Sequence, residues 1–225
     1  MLYKEAVSPG ILDILNKFME ANELKAFRLV GGTALSLQLG HRESVDIDLF
    51  SFREFPKDIL RDTLKNILTN LSELEIGERS LSFYTNNIKV DFYAMSNPFI
   101  RPELIEDNIR MAAIEDIAAM KLDAITSRAT KKDYYDIAEL LNKYTFKTLL
   151  GFYIEKYPEC RTRNVIDIIK DIPLRNFELE KSTPPKSFRN ITWNDVIEKV
   201  FNAFDTFRYE ELQAKIEEMK KRKKK

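Results

Sequence analysis

The sequence predicts an α+β fold: a mixed sheet with flanking helices in the first half and an all-helical second half. Short alternating apolar segments at 27–30, 45–50, 81–85 and 88–94, interleaved with helical periodicity, predict the sheet. From Ala112 onward apolar residues recur at helical spacing, and Pro98 and Pro102 punctuate the chain just before. The expected division is therefore 1–100 and 101–225.

The elements follow in order. Ser8-Pro9 reads as a helix start, serine as N-cap and proline in the first turn, followed by Ile11, Leu12, Leu15, Phe18 and Met19 on one face. Phe27–Val30 reads as a strand running into Gly31-Gly32, Thr33–Leu39 as a short helix stopped near Gly40, and Val45–Phe50 as a second strand. Pro56 opens a helix whose stripe is Ile59, Leu60, Leu64, Ile67, Leu68 and Leu71. Leu81–Thr85 and Ile88–Ala94 form a hairpin at Asn86-Asn87, since asparagine tolerates positive φ. Pro184-Pro185 marks a loop, and a last helix runs from Thr192 into the basic run Lys220–Lys225.

Composition narrows the class. The chain has 225 residues, 44% of them hydrophobic, enough for a real core. Its 36 basic and 36 acidic residues balance, so a wholly basic nucleic-acid-binding surface is not implied. A single cysteine, Cys160, excludes an internal disulfide and fits a reducing compartment. No apolar run approaches the roughly 20 residues of a membrane span. Nor does the N-terminus have a signal-peptide shape, so a cytoplasmic protein without membrane contact is expected.

Asp46 and Asp48 stand one residue apart in Ser-Val-Asp-Ile-Asp-Leu-Phe. On a strand both carboxylates leave one face, while Val45, Ile47 and Leu49 turn to the core. Such a pair is a seat for a hard divalent cation such as magnesium. A glycine turn opening a helix is a seat for phosphate. Asp91 adds a third carboxylate, on the non-core face of the strand where Ile88, Val90 and Phe92 alternate with it. If the two strands are neighbours the three carboxylates converge, and cations would have to bridge their repulsion. Two metal ions roughly 3.5–4 Å apart would clamp the oxygens of a phosphoryl or nucleotidyl transfer. The alternative is a set of solvated aspartates on an exposed sheet face.

The stretch Gly31-Gly32-Thr33-Ala34-Leu35, then Asp46-Ile47-Asp48-Leu49-Phe50, then Asp91, resembles the polymerase-β-type nucleotidyltransferase superfamily. Within it the chain is similar to the AbiEii/AbiGii toxin family, through Lys121-Leu122-Asp123-Ala124, Arg128 and Lys132-Asp133-Tyr134-Tyr135-Asp136. The resemblance covers roughly Ala26 to Leu141. It implies a nucleotidyltransferase core at 1–100 and a helical domain at 101–225 that completes the active-site cleft. It also implies a toxin of a bacterial toxin–antitoxin or phage-defence pair. Its partners would be a nucleotide triphosphate, the 3′ end of tRNA as acceptor, and a cognate antitoxin.

The implied roles are these: Asp46, Asp48 and Asp91 hold two magnesium ions, with Asp91 as a candidate general base. Gly31, Gly32 and Thr33 cradle the phosphates of the triphosphate, through backbone N–H groups or the Thr33 hydroxyl. Lys121 and Arg128 neutralise them, and Asp136 orients those cations or acts near the nucleotide.

Lys121 also stands out on its own, because it falls on the apolar stripe Ile114, Ile117, Ile125. The alternative is a lysine snorkelling to solvent. Asp133 sits where an N-cap would, and Asp136 in the favoured first turn. His41 is the only histidine, which excludes a histidine triad or zinc cluster, and it reads as a solvent-facing loop residue. Cys160 reads as an inert thiol, Trp193 as packing for the last helix, and the terminal lysines as a solvated end or an electrostatic aid to RNA binding. Two other functions fit the same residues: a catalytically silent binding module, and a kinase-like phosphotransferase. A haloacid-dehalogenase-type site fits poorly, because Phe50 stands where that site needs threonine or valine.

Overall fold

The computed structural model describes residues 1–128, 130–172 and 183–222. Helix α1 (Pro9–Glu20) begins as Ser8-Pro9 predicts: the Ser8 hydroxyl accepts from the Ile11 N–H at 3.4 Å. It buries Ile11, Ile14, Leu15, Phe18 and Met19. Strand β1 (Arg28–Leu29) runs into α2 (Gly31–Leu39), which starts two residues earlier than expected and ends on Gly40 in the left-handed region, φ 60°.

Strand β2 (Ile47–Ser51) buries Ile47 and Leu49, but Val45 precedes it and is 51% exposed, so Val45 does not join the core as expected. Helix α3 (Lys57–Ile67) buries Leu60 and Leu64, whereas Ile59 is exposed. Strands β4 (Ser80–Thr85) and β5 (Ile88–Ala94) form the expected hairpin, with Asn86 at φ 49° and Asn87 at φ 62°. Three strands were not read from the sequence: β3 (Ser72–Ile76), β6 (Leu104–Glu106) and β7 (Ile109–Met111).

The strands form one mixed sheet in the order β3-β4-β5-β2-β1-β7-β6. Strand β2 is parallel to β5, and β1 is parallel to β7; the other pairs are antiparallel. Strands β6 and β7 lie past the expected boundary at 100–101, so the sheet reaches into the second half.

The rest of the described chain is helical: α4 (Ile114–Ser127), α5 (Lys131–Leu140), α6 (Phe146–Lys156), α7 (Thr162–Lys170) and α8 (Trp193–Arg222). The last three residues of the basic run lie outside the described residues. Pro184-Pro185 falls in irregular backbone before α8. Trp193 packs as expected, stacked on Tyr135 at 6.1 Å and edge-on to Tyr134 at 6.0 Å. One hydrophobic cluster runs from Phe18, Phe27 and Phe92 beneath the sheet to Leu122, Ile137, Leu149 and Val200 among the helices. No helix among the described residues is long and apolar enough to cross a membrane.

Candidate active site

Register brings the carboxylates together. In the parallel β2/β5 pair, Asp48 and Asp91 are direct cross-strand partners. They are flanked by buried Ile47, Leu49, Val90 and Phe92, which pin both strands and leave the aspartates on the opposite face. Burial, and then the charge of Asp91, push Asp48 up to about 6. Asp46 lies just before β2 at the cleft rim, 3.8 Å from the Lys132 ammonium. Asp91 accepts from Lys89 Nζ at 2.7 Å.

Of the three carboxylates expected to converge, Asp48 and Asp91 are cross-strand neighbours and Asp46 stands apart at the rim. Among the described residues no three Asp, Glu, His or Cys side chains close on one point. The donor chemistry still suits a hard divalent cation: two opposed carboxylates, one of them destabilised as an anion by burial and by its neighbour.

The glycines make room for this pair. Gly31 has φ 68°, and a Cβ there would lie 2.4 Å from Asp48 Oδ2. A Cβ on Gly32 would lie 2.2 Å from Arg42 Nη2. No side chain caps this end of α2, so the first-turn N–H groups offer an anion seat beside the carboxylates. Gly31→Ala is expected to cut activity at least tenfold and to cost about 1 kcal/mol or more, because alanine strains the left-handed backbone and displaces Asp48. Steady-state kinetics and a melting curve check both. Thr33 is buried, and its hydroxyl donates to the Asp46 carbonyl and accepts from the Ser44 hydroxyl at 2.9 Å. It therefore braces the loop that carries Asp46 from behind the cleft wall.

Lys121 does not snorkel. It is buried, and its Nζ reaches Asp133 Oδ1 at 2.9 Å and Asp136 Oδ2 at 2.7 Å. Burial opposes its charge, but Asp136 and Asp133 outweigh that and raise its pKa. Asp133 is not the N-cap. Thr130 is, and Asp133 closes a capping box three residues on, at 2.8 Å from the Thr130 hydroxyl. Asp136 lies in the second turn of α5 and is fully buried.

Asp136 accepts from Arg42 Nε (2.6 Å), Arg42 Nη2 (2.8 Å) and His41 Nε2 (2.7 Å). Burial would raise its pKa, yet Arg42, Lys121 and these hydrogen bonds hold it well below the usual carboxylate range. His41 and Arg42, each 2% exposed, are therefore not solvent-facing as expected of His41; they tie α5 to the loop after α2. Their position between the glycines and Asp46 was the available signal. Arg128 ends α4 with its side chain 64% exposed, 3.4 Å from Asp133.

These groups line a cleft of about 340 Å³ in which Arg42, Lys89, Lys121, Arg128, Lys131 and Lys132 outnumber Asp46, Asp48, Asp91 and Asp133. A second chamber of about 260 Å³ shares Asp48, Lys121 and Arg128 and has the apolar walls Val30, Phe50, Met120 and Tyr157. Opposed carboxylates, a glycine-opened helix start and a cationic rim thus lie side by side in one cleft.

The family model described as nucleotidyl transferase AbiEii toxin, of type IV toxin–antitoxin systems, matches residues 13–219. The chain belongs to the AbiEii family. It is accordingly a nucleotidyltransferase of the toxin type, a family whose members act on a nucleotide triphosphate and have an antitoxin partner. An uncharacterized protein of Aquifex aeolicus (strain VF5) is 35% identical over 158 residues, covering 68% of this chain and 74% of its own length. JHP933 from Helicobacter pylori aligns over 98% of this chain and all of its own, with TM-score 0.59 and 15% identity. MenT4, a nucleotidyltransferase toxin from Mycobacterium tuberculosis H37Rv, aligns over 87% of this chain and 83% of its own, with TM-score 0.51 and 13% identity. At those identities the two structures share the AbiEii chain's α+β fold.

Metal-free AbiEii protein carries a pH signature. Burial and the Asp91 charge raise the Asp48 carboxyl from the ordinary 3.8 to about 6, so the native state binds the extra proton between those values. Its contribution to stability is therefore lost as pH rises through about 6. In chelator, melting temperature is expected to fall between pH 5 and pH 7 more steeply in wild type than in Asp48→Asn. Parallel slopes would contradict the assignment.

Proposed function

We propose that this AbiEii protein transfers a nucleoside monophosphate from a nucleotide triphosphate to an acceptor hydroxyl at the 3′ end of tRNA. The result would be growth arrest, relieved by its antitoxin and serving phage defence. The acceptor oxygen bonds to the α-phosphorus, the bond to the bridging oxygen breaks, and pyrophosphate leaves. The observation that carries this reading is the opposition of Asp48 and Asp91 across β2/β5, beside the uncapped, glycine-opened start of α2.

Asp46, Asp48 and Asp91 would hold magnesium, which supplies charge stabilisation for both the attacking and the leaving oxygen. Backbone N–H groups of Gly31 and Gly32 hold phosphate oxygens. Arg128, exposed at the rim, adds a fork of donors for the triphosphate. Lys121 lends its charge to the same region from a position fixed by Asp133 and Asp136, and Thr33 sets the loop that presents Asp46. Asp91 takes the proton of the acceptor hydroxyl. The sheet lobe and the helical lobe close the cleft between them, and the apolar second chamber takes the base. The test is incubation with each α-labelled triphosphate, magnesium and total tRNA. Label on RNA is expected; no label on RNA or protein would overturn the reading.

A further inference from the structure

Helix α8 changes character halfway along. Val196, Val200 and Phe204 are buried against the other helices. Beyond them a second apolar stripe, Tyr209, Leu212, Ile216 and Met219, runs on a different face. Tyr209 is 64%, Leu212 54% and Met219 56% exposed. The spacing of three, four and three residues is that of heptad positions a, d, a, d, which forms a seam only when a second helix covers it. A free helix gains nothing from such a stripe in water.

The charges beside the seam say what kind of helix fits. Positions g and e, which border a coiled-coil seam, hold Arg208, Gln213, Lys215, Lys220 and Arg222: four cations and no acid. The acids Glu210, Glu211, Glu217 and Glu218 all fall at b and c, on the side away from the seam. Arg222 pairs with Glu218 at 2.6 Å and Arg208 with Asp205 at 3.9 Å; both are in-helix contacts on exposed side chains, worth little. A second copy of α8, parallel or antiparallel, would set cation against cation along both borders. RNA would use the cations and leave the apolar stripe in water. We propose that residues 208–222 of α8 are a docking surface for an amphipathic helix of another protein, one with apolar a and d positions and acidic e and g positions.

The test uses two four-heptad peptides with Ile at a and Leu at d, one carrying Glu and the other Lys at every e and g. Each is fluorescently labelled and titrated with the full chain at low ionic strength. The acidic peptide is expected to bind at least tenfold tighter than the basic one. Leu212→Ala/Ile216→Ala should abolish this binding, and Lys215→Glu/Lys220→Glu should reverse the preference, with nucleotidyl transfer and helix content unchanged in both. Equal binding of the two peptides, or none, would overturn the proposal. So would a concentration-dependent dimer that Ile216→Ala dissolves, which would make the stripe a self-association surface. RNA binding lost in the charge variant but kept in the alanine variant, without peptide binding, would also overturn it and assign the rim to nucleic acid.

Discussion

Asp48→Asn is expected to lower nucleotidyl transfer about a thousandfold or more while raising the melting temperature of the metal-free protein at neutral pH. The two effects share a cause. Asp48 is half-buried beside Asp91, and both desolvation and that neighbouring charge disfavour its ionised form. The fold therefore pays for an anion at this point. Asparagine keeps the shape and removes the charge, which relieves the repulsion. It also removes the group that would hold a cation against the transferring phosphate. Charge stabilisation of this kind supplies several kcal/mol, and each 1.36 kcal/mol is a factor of ten in rate. Magnesium added at pH 7.5 should raise the melting temperature of wild type and leave Asp48→Asn unmoved. Activity retained in Asp48→Asn would remove the carboxylate from the chemistry.

Asp136→Ala is expected to be the most destabilising single change at the site. Asp136 is fully buried and receives Arg42, Lys121 and His41. Removing it leaves Arg42 and Lys121 buried with less compensation, and breaking such a buried pair costs about 3–5 kcal/mol. Lys121 keeps Asp133, whereas Arg42 falls back on the Glu43 carbonyl, to which its Nη1 donates at 2.9 Å. The loss should therefore fall first on the loop between α2 and β2 that carries Asp46. Urea denaturation gives the size of the effect. Its pH dependence has the sign of a depressed carboxylate: the contribution is present above the unfolded-state value near 3.8 and is lost as pH falls below it. An Asp136→Ala protein as stable as wild type at pH 7 would mean that the cluster is not an energetic unit.

The active face was legible because its signals are local. Alternation on β2 and β5 sorts core from cleft side chains, and glycines at the head of α2 announce a close approach of backbone to other groups. Asn86-Asn87 announced the β4/β5 turn; Asp107-Asn108, with φ 50° and 63°, does the same for β6/β7 but between strands too short to show a pattern. Strand β3, Ser-Glu-Leu-Glu-Ile, sits at the sheet edge, where pairing with β4 rather than a hydrophobic run defines it. The Thr130-x-x-Asp133 capping box is likewise a local signal, with Thr130 rather than Asp133 as the cap. The burial of His41 and Arg42 was not readable locally. An arginine goes inside only with a partner, and Asp136 stands 94 residues further on. Lys121 hid the same way: its place on an apolar stripe was visible, its two aspartate partners were not.

In the proposed reaction the carboxylate face directs attack at the α-phosphorus of a nucleotide triphosphate. Parallel reactions with α-labelled and γ-labelled triphosphate, magnesium and total tRNA test it most directly. The arrangement predicts α-label in the RNA product and γ-label only in released pyrophosphate. Gamma-label on RNA or protein, without α-label, would make the site a phosphotransferase and rule out nucleotidyl transfer there.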